Sequence, residues 1–399
     1  MANTLLTPQM VTYEALRVLE NSLGISSRIN REYDDKFAIA GAKIGTTLNV
    51  RKPPRYVGRL GDNINIENTT ETSVPLVLDT LFGVDVAFTS VERTLSLDDY
   101  SRRILKPKMA TIANKIDFDV LQKYKEIYNA TGTPGTAISS LSTFLDAGVK
   151  LNNEAAPMDG DRFIACTPQM EASAVSSALA YFNPQSRIGD QYLKGRMGDF
   201  GGFEFFMDQN CPTHVAATQS GSVTVNGAVS SGNSITVAGL TTTGLKKGDI
   251  YTVSTTNAVN PQSRQSTSQL RQFVVDADTA ADAGGALTFT FQPEVIVSGQ
   301  FQNVDAALGN GATVTFHSST GRTYQSGLAF HRDWCTLASA DLEMPQGVHQ
   351  SARISSKDSG LSVRMVTAFD IRTNLMITRL DVLYGIKVLY PELACRISV

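Results

Sequence analysis

The chain has 399 residues, more than one simple core usually holds, so two or three lobes are expected. Its 42% hydrophobic and 18% charged residues describe a folded protein rather than a disordered one. A formal net charge of −3 argues against a dedicated nucleic-acid binder, which needs a basic surplus to displace counterions from phosphate, though not against a protein that surrounds nucleic acid.

No stretch approaches the long uncharged apolar run of a membrane helix. Arg17 and Glu20 interrupt Met10–Leu23, so no secretory leader is expected at the start of this sequence. Cys166, Cys211, Cys335 and Cys395 lie far apart with no C-x-x-C pair. That spacing favours buried free thiols in a reducing cytoplasm over a disulfide framework or a zinc site.

Taken in order, the first element is a helix. Thr7-Pro8 offers its start, Val11, Ala15, Val18 and Leu19 recur at helical spacing, and Gly24 stops it. A charged arm follows to Lys43. From Ile44 to Thr94 the pattern turns to β: Thr47 to Arg51 alternates, Pro53-Pro54 breaks it, and Gly58 and Gly61 supply a turn. A second arm returns through Val74 to Thr80 and is extended by Val84 to Phe88. Two long arms with no core of their own predict a projecting hairpin that must lie on something else.

Ser96 to Tyr128 predicts the longest helical region. Ser96 and Asp99 resemble a capping box, and Met109, Ile112, Ile116 and Val120 form the apolar stripe. Pro107 should kink this helix or begin a second one. After a Gly/Pro/Ser/Thr passage, Phe163 to Thr167 predicts a buried strand, Pro168 to Tyr181 a helix and Gly202 to Met207 another strand. Near Cys211 the composition shifts to Ser, Thr, Gly, Asn and Val. Short alternating strands at Ser222–Val225, Ile235–Val237, Ile250–Val253, Gln272–Val275, Leu287–Phe291 and Thr313–Phe316 mark a small all-β sandwich or barrel. Beyond it a helix is expected over Leu328–Leu342, with strands around Leu361–Phe369 and Val382–Val388. The β-module therefore interrupts an α+β domain, which surface loops tolerate.

No catalytic, cofactor or metal constellation emerges. His214, His317, His331 and His349 form no zinc motif, and Gly239–Lys246 misses the phosphate-binding loop by an inserted Leu245 and an all-β setting. Gly198-Asp199-Phe200-Gly201 contains a kinase tripeptide without companion motifs. Asp98-Asp99 and Asp117/Asp119 are read as helix-start electrostatics and a solvated helix face.

Three stretches resemble the coat proteins of tailed phages of the P22 type. They are TPQMVTYEALRVLENSLGISSRINREYDDKFAIAGAKIGTTLNVRKPPRY (7–56), LTTTGLKKGDIYTVSTTNAVNPQSRQSTSQLRQFVV (240–275), and the tail LAFHRDWCTLASADLEMP (328–345) with TRLDVLYGIKVLYPELACRI (378–397). The resemblance rests on order and coverage and implies an HK97-type capsid fold of α+β class. In it, 1–43 would be the N-terminal helix and arm, 44–94 the extended β-hairpin loop, and 95–136 the spine helix of the peripheral domain. Residues 137–211 would form the axial and peripheral core, 212–328 the inserted β-barrel domain, and 329–399 the return to the core.

The function it implies is a major capsid protein, not an enzyme. It would self-assemble into the hexamers and pentamers of an icosahedral head that encloses double-stranded DNA without reading its sequence. Scaffolding protein and portal are the implied partners, with room for a decoration protein, in a virion assembled in the bacterial cytoplasm. No cofactor, no membrane and no autocatalytic crosslink are expected. Arg51, Lys52, Arg55 and Arg59 on the hairpin and Arg28 and Arg31 on the arm are the expected intersubunit contacts. An encapsulin-like cargo shell would share the fold. An adhesin or carbohydrate binder would instead need an aromatic-lined groove on the β-module.

Overall fold

The computed structural model describes residues 8–31, 47–58, 71–88, 101–179, 198–219, 221–240, 244–280, 285–318, 321–356, 360–372 and 375–399, and isolated positions between 61 and 69. The chain divides into two compact units. The first comprises 1–52, 73–120 and 335–389, and the second 53–72, 121–334 and 390–399.

In the first unit, helix α1 (Pro8–Ser22) buries Val11, Ala15, Leu16, Val18 and Leu19 as one stripe, as its spacing predicts. The segment after it is held by Asp117, whose carboxylate accepts from the backbone N–H groups of Gly24 at 2.8 Å and Ser26 at 2.9 Å. Asp117 is therefore buried, and the expectation of a solvated helix face fails there. It substitutes for the partners that unpaired donors outside a helix would lack. Asp119 accepts from Tyr384 Oη at 2.6 Å and pairs with Lys115. Asp98 and Asp99 lie outside the described residues.

The hairpin's arms are β1 (Thr47–Lys52) and β2 (Thr72–Val77), which pair as a two-stranded sheet. Leu48 and Val50 from β1 and Leu76 from β2 pack against Ala338 and Ala340, so the root of the ribbon has apolar support. One expectation is corrected here. Val84–Phe88 does not lengthen the hairpin, because β3 (Thr80–Phe88) runs antiparallel along β19 (Leu375–Val388), from Phe88 opposite Met376 to Thr80 opposite Tyr384. Along nine paired residues the alternate backbone donors and acceptors that face β19 are satisfied there, groups that a longer free ribbon would leave to water. The same sheet holds β16 (Cys335–Ala340), β17 (Gln350–Ser355) and β18 (Ser362–Asp370), with β18 and β16 also pairing to β19. Gly83 lacks a side chain for a reason. A Cβ there would fall 2.3 Å from the carboxylate of fully buried Asp381, which takes hydrogen bonds from Arg364 and Arg379.

Helix α2 (Lys106–Leu121) is preceded by a wide π-helical turn over Ser101–Leu105. Pro107 is its second residue, and the widened turn relieves the clash its ring would make with the carbonyl four residues back. A 3₁₀ stretch, Gln122–Glu126, continues the chain into the second unit.

The second unit is built on a seven-stranded sheet. Its path runs β4 (Ala130–Gly132), β20 (Ala394–Ser398), β15 (Thr323–His331), β5 (Arg162–Cys166), β7 (Phe203–Met207) and β6 (Asp199–Phe200), with β8 (Thr213–Val215) also on β15. Helices α3 (Ser142–Asn153) and α4 (Pro168–Leu179) belong to this unit. The helix expected over Leu328–Leu342 is corrected to the end of β15, a short 3₁₀ turn Arg332–Trp334, and β16. Both strands are buried nearly throughout, so their apolar residues run on without alternation and mimic a helical stripe.

Between β8 and β15 the chain departs into a six-stranded sheet of order β14-β11-β12-β13-β10-β9. Its strands are β9 (Thr224–Val225), β10 (Ser231–Ala238), β11 (Ile250–Val259), β12 (Ser266–Val275), β13 (Leu287–Ile296) and β14 (Val314–Phe316). Because β8 and β15 pair antiparallel, with Thr323 opposite Val215, the module enters and leaves at one place on the host sheet. Its core is Val225, Ile235, Val237, Tyr251, Phe273, Phe289, Phe291 and their neighbours, with Tyr251 stacked on Phe273 at 5.5 Å.

Candidate functional site

Two places in the second unit concentrate polar chemistry: the seam where the module meets its host, and the base of the hairpin tip.

At the seam a buried chain of hydrogen bonds runs from Tyr124 through His214 to Asp249. Tyr124 Oη lies 2.9 Å from His214 Nδ1, and His214 Nε2 lies 3.0 Å from Asp249 Oδ1. Asp249 also accepts from the backbone N–H groups of Ala217 at 3.3 Å and Lys246 at 3.0 Å. An ionised carboxylate can only accept, so His214 Nε2 donates to Asp249, and the tyrosine hydroxyl, which can donate or accept, pairs with Nδ1. Burial pushes Tyr124 up to about 12, against the pull of Arg396, which keeps the phenol protonated for that bond. The three residues resemble a proton relay in composition, yet all are buried, and the arrangement leaves no exposed nucleophile to serve. Its effect is to tie Asp249, which sits just before β11, to the strand leading into the module and to the end of the long helical region.

Arg396 of β20 completes the seam. Fully buried, it donates to the carbonyls of Gly248 and Ile127 and lies over the Tyr124 ring at 5.2 Å. Two further ties lie beside it. Gln272 of β12 exchanges both amide hydrogen bonds with the backbone of Ala130, imitating a strand pair. Arg271 pairs with Glu154 and stacks on Tyr128 at 4.6 Å. Tyr128, Ala130, Ile250 and Val274 add a small apolar cluster. None of these residues carries a sequence signature. Their partners are far apart in the chain, and a buried arginine looks like a surface arginine until the fold is known.

His317 hydrogen-bonds Ser398 Oγ at 3.0 Å. Burial, Arg396 and His214 together depress its pKa to about 4 from an ordinary 6.5. Between those values the unfolded chain binds a proton that the folded chain refuses, so stability falls as pH drops from about 6.5 to about 4. With the ring only partly buried, the expected loss is about 2 kcal/mol. Urea midpoints across that range should show a slope that His317→Gln flattens; equal slopes would refute the assignment.

The residues expected at intersubunit contacts are placed as follows. Arg28 Nη1 donates to Gly24 O at 3.2 Å and Arg31 Nε to Ser26 O at 3.0 Å, so both fold back on their own segment. Arg51 is exposed and Lys52 half-buried at the end of β1, on opposite faces of the strand. Arg55 pairs with Glu392 at 3.2 Å. Arg59 lies outside the described residues. Among those described, no group of three or more His, Cys, Asp or Glu residues could hold a metal, and no helix is long and apolar enough to cross a membrane. The four cysteines are free, and three of them are buried. Tyr251, Phe273, Phe289 and Phe291 sit inside the module's core, which leaves them unable to line a sugar-binding groove.

A mixed helix-and-sheet host interrupted by an all-β module is the arrangement that the resemblance to P22-type coat proteins implies. The chain belongs to the P22 coat protein family, whose model, described as "P22 coat protein - gene protein 5", matches residues 9–396. It is accordingly a structural protein of the bacteriophage capsid, of a kind that assembles with copies of itself. Among solved structures it is similar to one titled "Mycobacterium phage Che8", at 13% identity over 94% of this chain and 90% of that one, with a TM-score of 0.45. The capsid of cyanophage P-SCSP1u is similar at 10% identity over 93% and 88%, TM-score 0.44. A CUS-3 coat protein I-domain matches at 24% identity over 24% of this chain and 96% of that one, TM-score 0.19. No curated protein matches.

Proposed function

We propose that this chain forms the hexamers and pentamers of an icosahedral phage head that encloses double-stranded DNA, built in the bacterial cytoplasm with scaffolding protein and portal. A decoration protein is a further partner of the same reading. The observation that carries it is the ribbon at 47–77. A two-stranded sheet is marginal alone, and this one exposes Tyr56, Val57, Ile64 and Ile66 at its tip, the two isoleucines by 81% and 85%. Large apolar residues so exposed favour burial against another surface. A second copy of the chain supplies one at the concentration a shell imposes, where each added contact is effectively intramolecular.

In this reading Arg51, Lys52, Arg55 and Arg59 flank the apolar tip and set its register on the neighbour, while Arg28 and Arg31 serve the N-terminal arm. The net charge of −3 suits a shell that must hold DNA without adhering to it. Expression with a scaffolding protein should give closed particles of uniform size by negative-stain microscopy, and Ile64→Asp/Ile66→Asp should give soluble subunits that do not close. Persistent monomers of the unaltered chain would overturn the proposal.

A further inference from the structure

The base of the hairpin tip is gripped by the inserted module of the same chain. Arg264, in the turn between β11 and β12, donates from Nη2 to Tyr56 O at 2.7 Å and from Nη1 to Val57 O at 3.2 Å. A guanidinium fork on two successive carbonyls fixes both the position and the direction of the backbone, which a point charge does not.

The turn is built to present that fork. Arg264 has φ +54°, a left-handed conformation that side chains other than glycine and asparagine rarely adopt. Surrounding bonds impose it. Asn260 Oδ1 accepts from the N–H groups of Gln262 at 2.9 Å and Ser263 at 3.0 Å, and Arg264 N donates to Asn260 O at 2.9 Å. Asn260 Nδ2 in turn donates to the carbonyl of Asn153 at 3.0 Å, anchoring the turn to the end of α3. A residue held against its preference by this many bonds, with its side chain spent on another segment's backbone, marks a constraint that the surroundings enforce.

Two glycines lie just past the grip. Gly58, the next residue, has φ +69° and Gly61 φ +90°, and neither would meet any atom within 4 Å if given a Cβ. On the near side, Arg55 pairs with Glu392, and Tyr56 Oη lies 3.2 Å from Thr69 Oγ1, joining the outgoing and returning legs.

We infer that Arg264 is a positioning residue for the hairpin: the module clasps residues 56–57 and so sets the direction in which the chain leaves toward Gly58. Preorganising a binding element in this way lowers the ordering cost of each later contact. The inference rests on intrachain geometry and stands or falls separately from the shell reading.

The test is chymotryptic cleavage after Tyr56, measured on the full chain as unassembled subunits. Arg264→Gly suits the left-handed backbone while removing the fork, so the turn should survive. Loss of the two hydrogen bonds should raise the initial cleavage rate about tenfold, with sites inside β11–β13 unchanged. Arg264→Lys, which keeps the charge but offers one compact donor head, should fall between. A rate for Arg264→Gly within twofold of the unaltered chain would overturn the inference, as would equal acceleration throughout the module. So would a lysine variant as protected as arginine, since charge rather than the fork would then be holding the segment.

Discussion

Replacing Arg271 by alanine is expected to lower the stability of the chain by about 3–5 kcal/mol, because it strands the Glu154 carboxylate in a dry site. Both side chains of this ion pair are almost wholly inaccessible, and the guanidinium also covers the Tyr128 ring. Burial is the largest influence on each group. It raises Glu154, while for Arg271 the attraction of Glu154 and Tyr128 overcomes it and raises the guanidinium. The charge pair is thus self-consistent only while both members are present. Converting both together, Glu154→Leu with Arg271→Met, should recover most of the loss, since an apolar pair of similar volume needs no solvation. Urea midpoints of the three variants decide the matter. A single variant that loses less than about 1 kcal/mol would mean that water reaches the site.

Asp249→Ala is expected to cost a similar amount, about 3–4 kcal/mol, for a different reason. The carboxylate serves His214, the Ala217 amide and the Lys246 amide together, and its removal leaves buried donors with no acceptor. His214→Ala, which leaves Asp249 its two backbone partners, should cost less, about 2 kcal/mol. Asp249 lies at the root of the module, outside its apolar core, so the loss falls on docking. Proteolysis of the variant should begin in the described parts of the connectors, 216–219 and 321–322, while the module remains protected. Early cleavage within β11–β13 would place the effect in the module's own folding.

How much of this was legible in the sequence depended on how each strand is buried. Ile235–Val237, Ile250–Val253, Gln272–Val275 and Leu287–Phe291 are strands with one face in the module's core, so their alternation survives in the sequence and they lie where it places them. Leu328–Leu342 was misleading because both faces are covered, and period 2 disappears when every residue is inside. Val84–Phe88 was recognisable as a strand, but its partner was not, since register with β19 links residues almost 300 positions apart. The polar seam was invisible for the same reason. His214 and Asp249 are 35 residues apart and Arg396 reaches Ile127 across 269, spacings that no motif encodes. Asp117 illustrates the opposite error: a carboxylate on a helix defaults to solvent, and only the fold shows two backbone donors waiting for it.

The place of β20 in the seven-stranded sheet bears on the order of biosynthesis. Ala394–Ser398 lies between β4 and β15 and not at an edge, and it also delivers Arg396 to the seam. Every other strand of that sheet precedes it in the chain, so on the ribosome the host remains an open sheet with a vacant slot while the contiguous module at 224–316 can already close its own core. The nascent protein therefore matures from the inside of its sequence outwards. The last strand inserted joins the edge strand β4 to β15 and the rest of the sheet, and until then the subunit is not a finished building block.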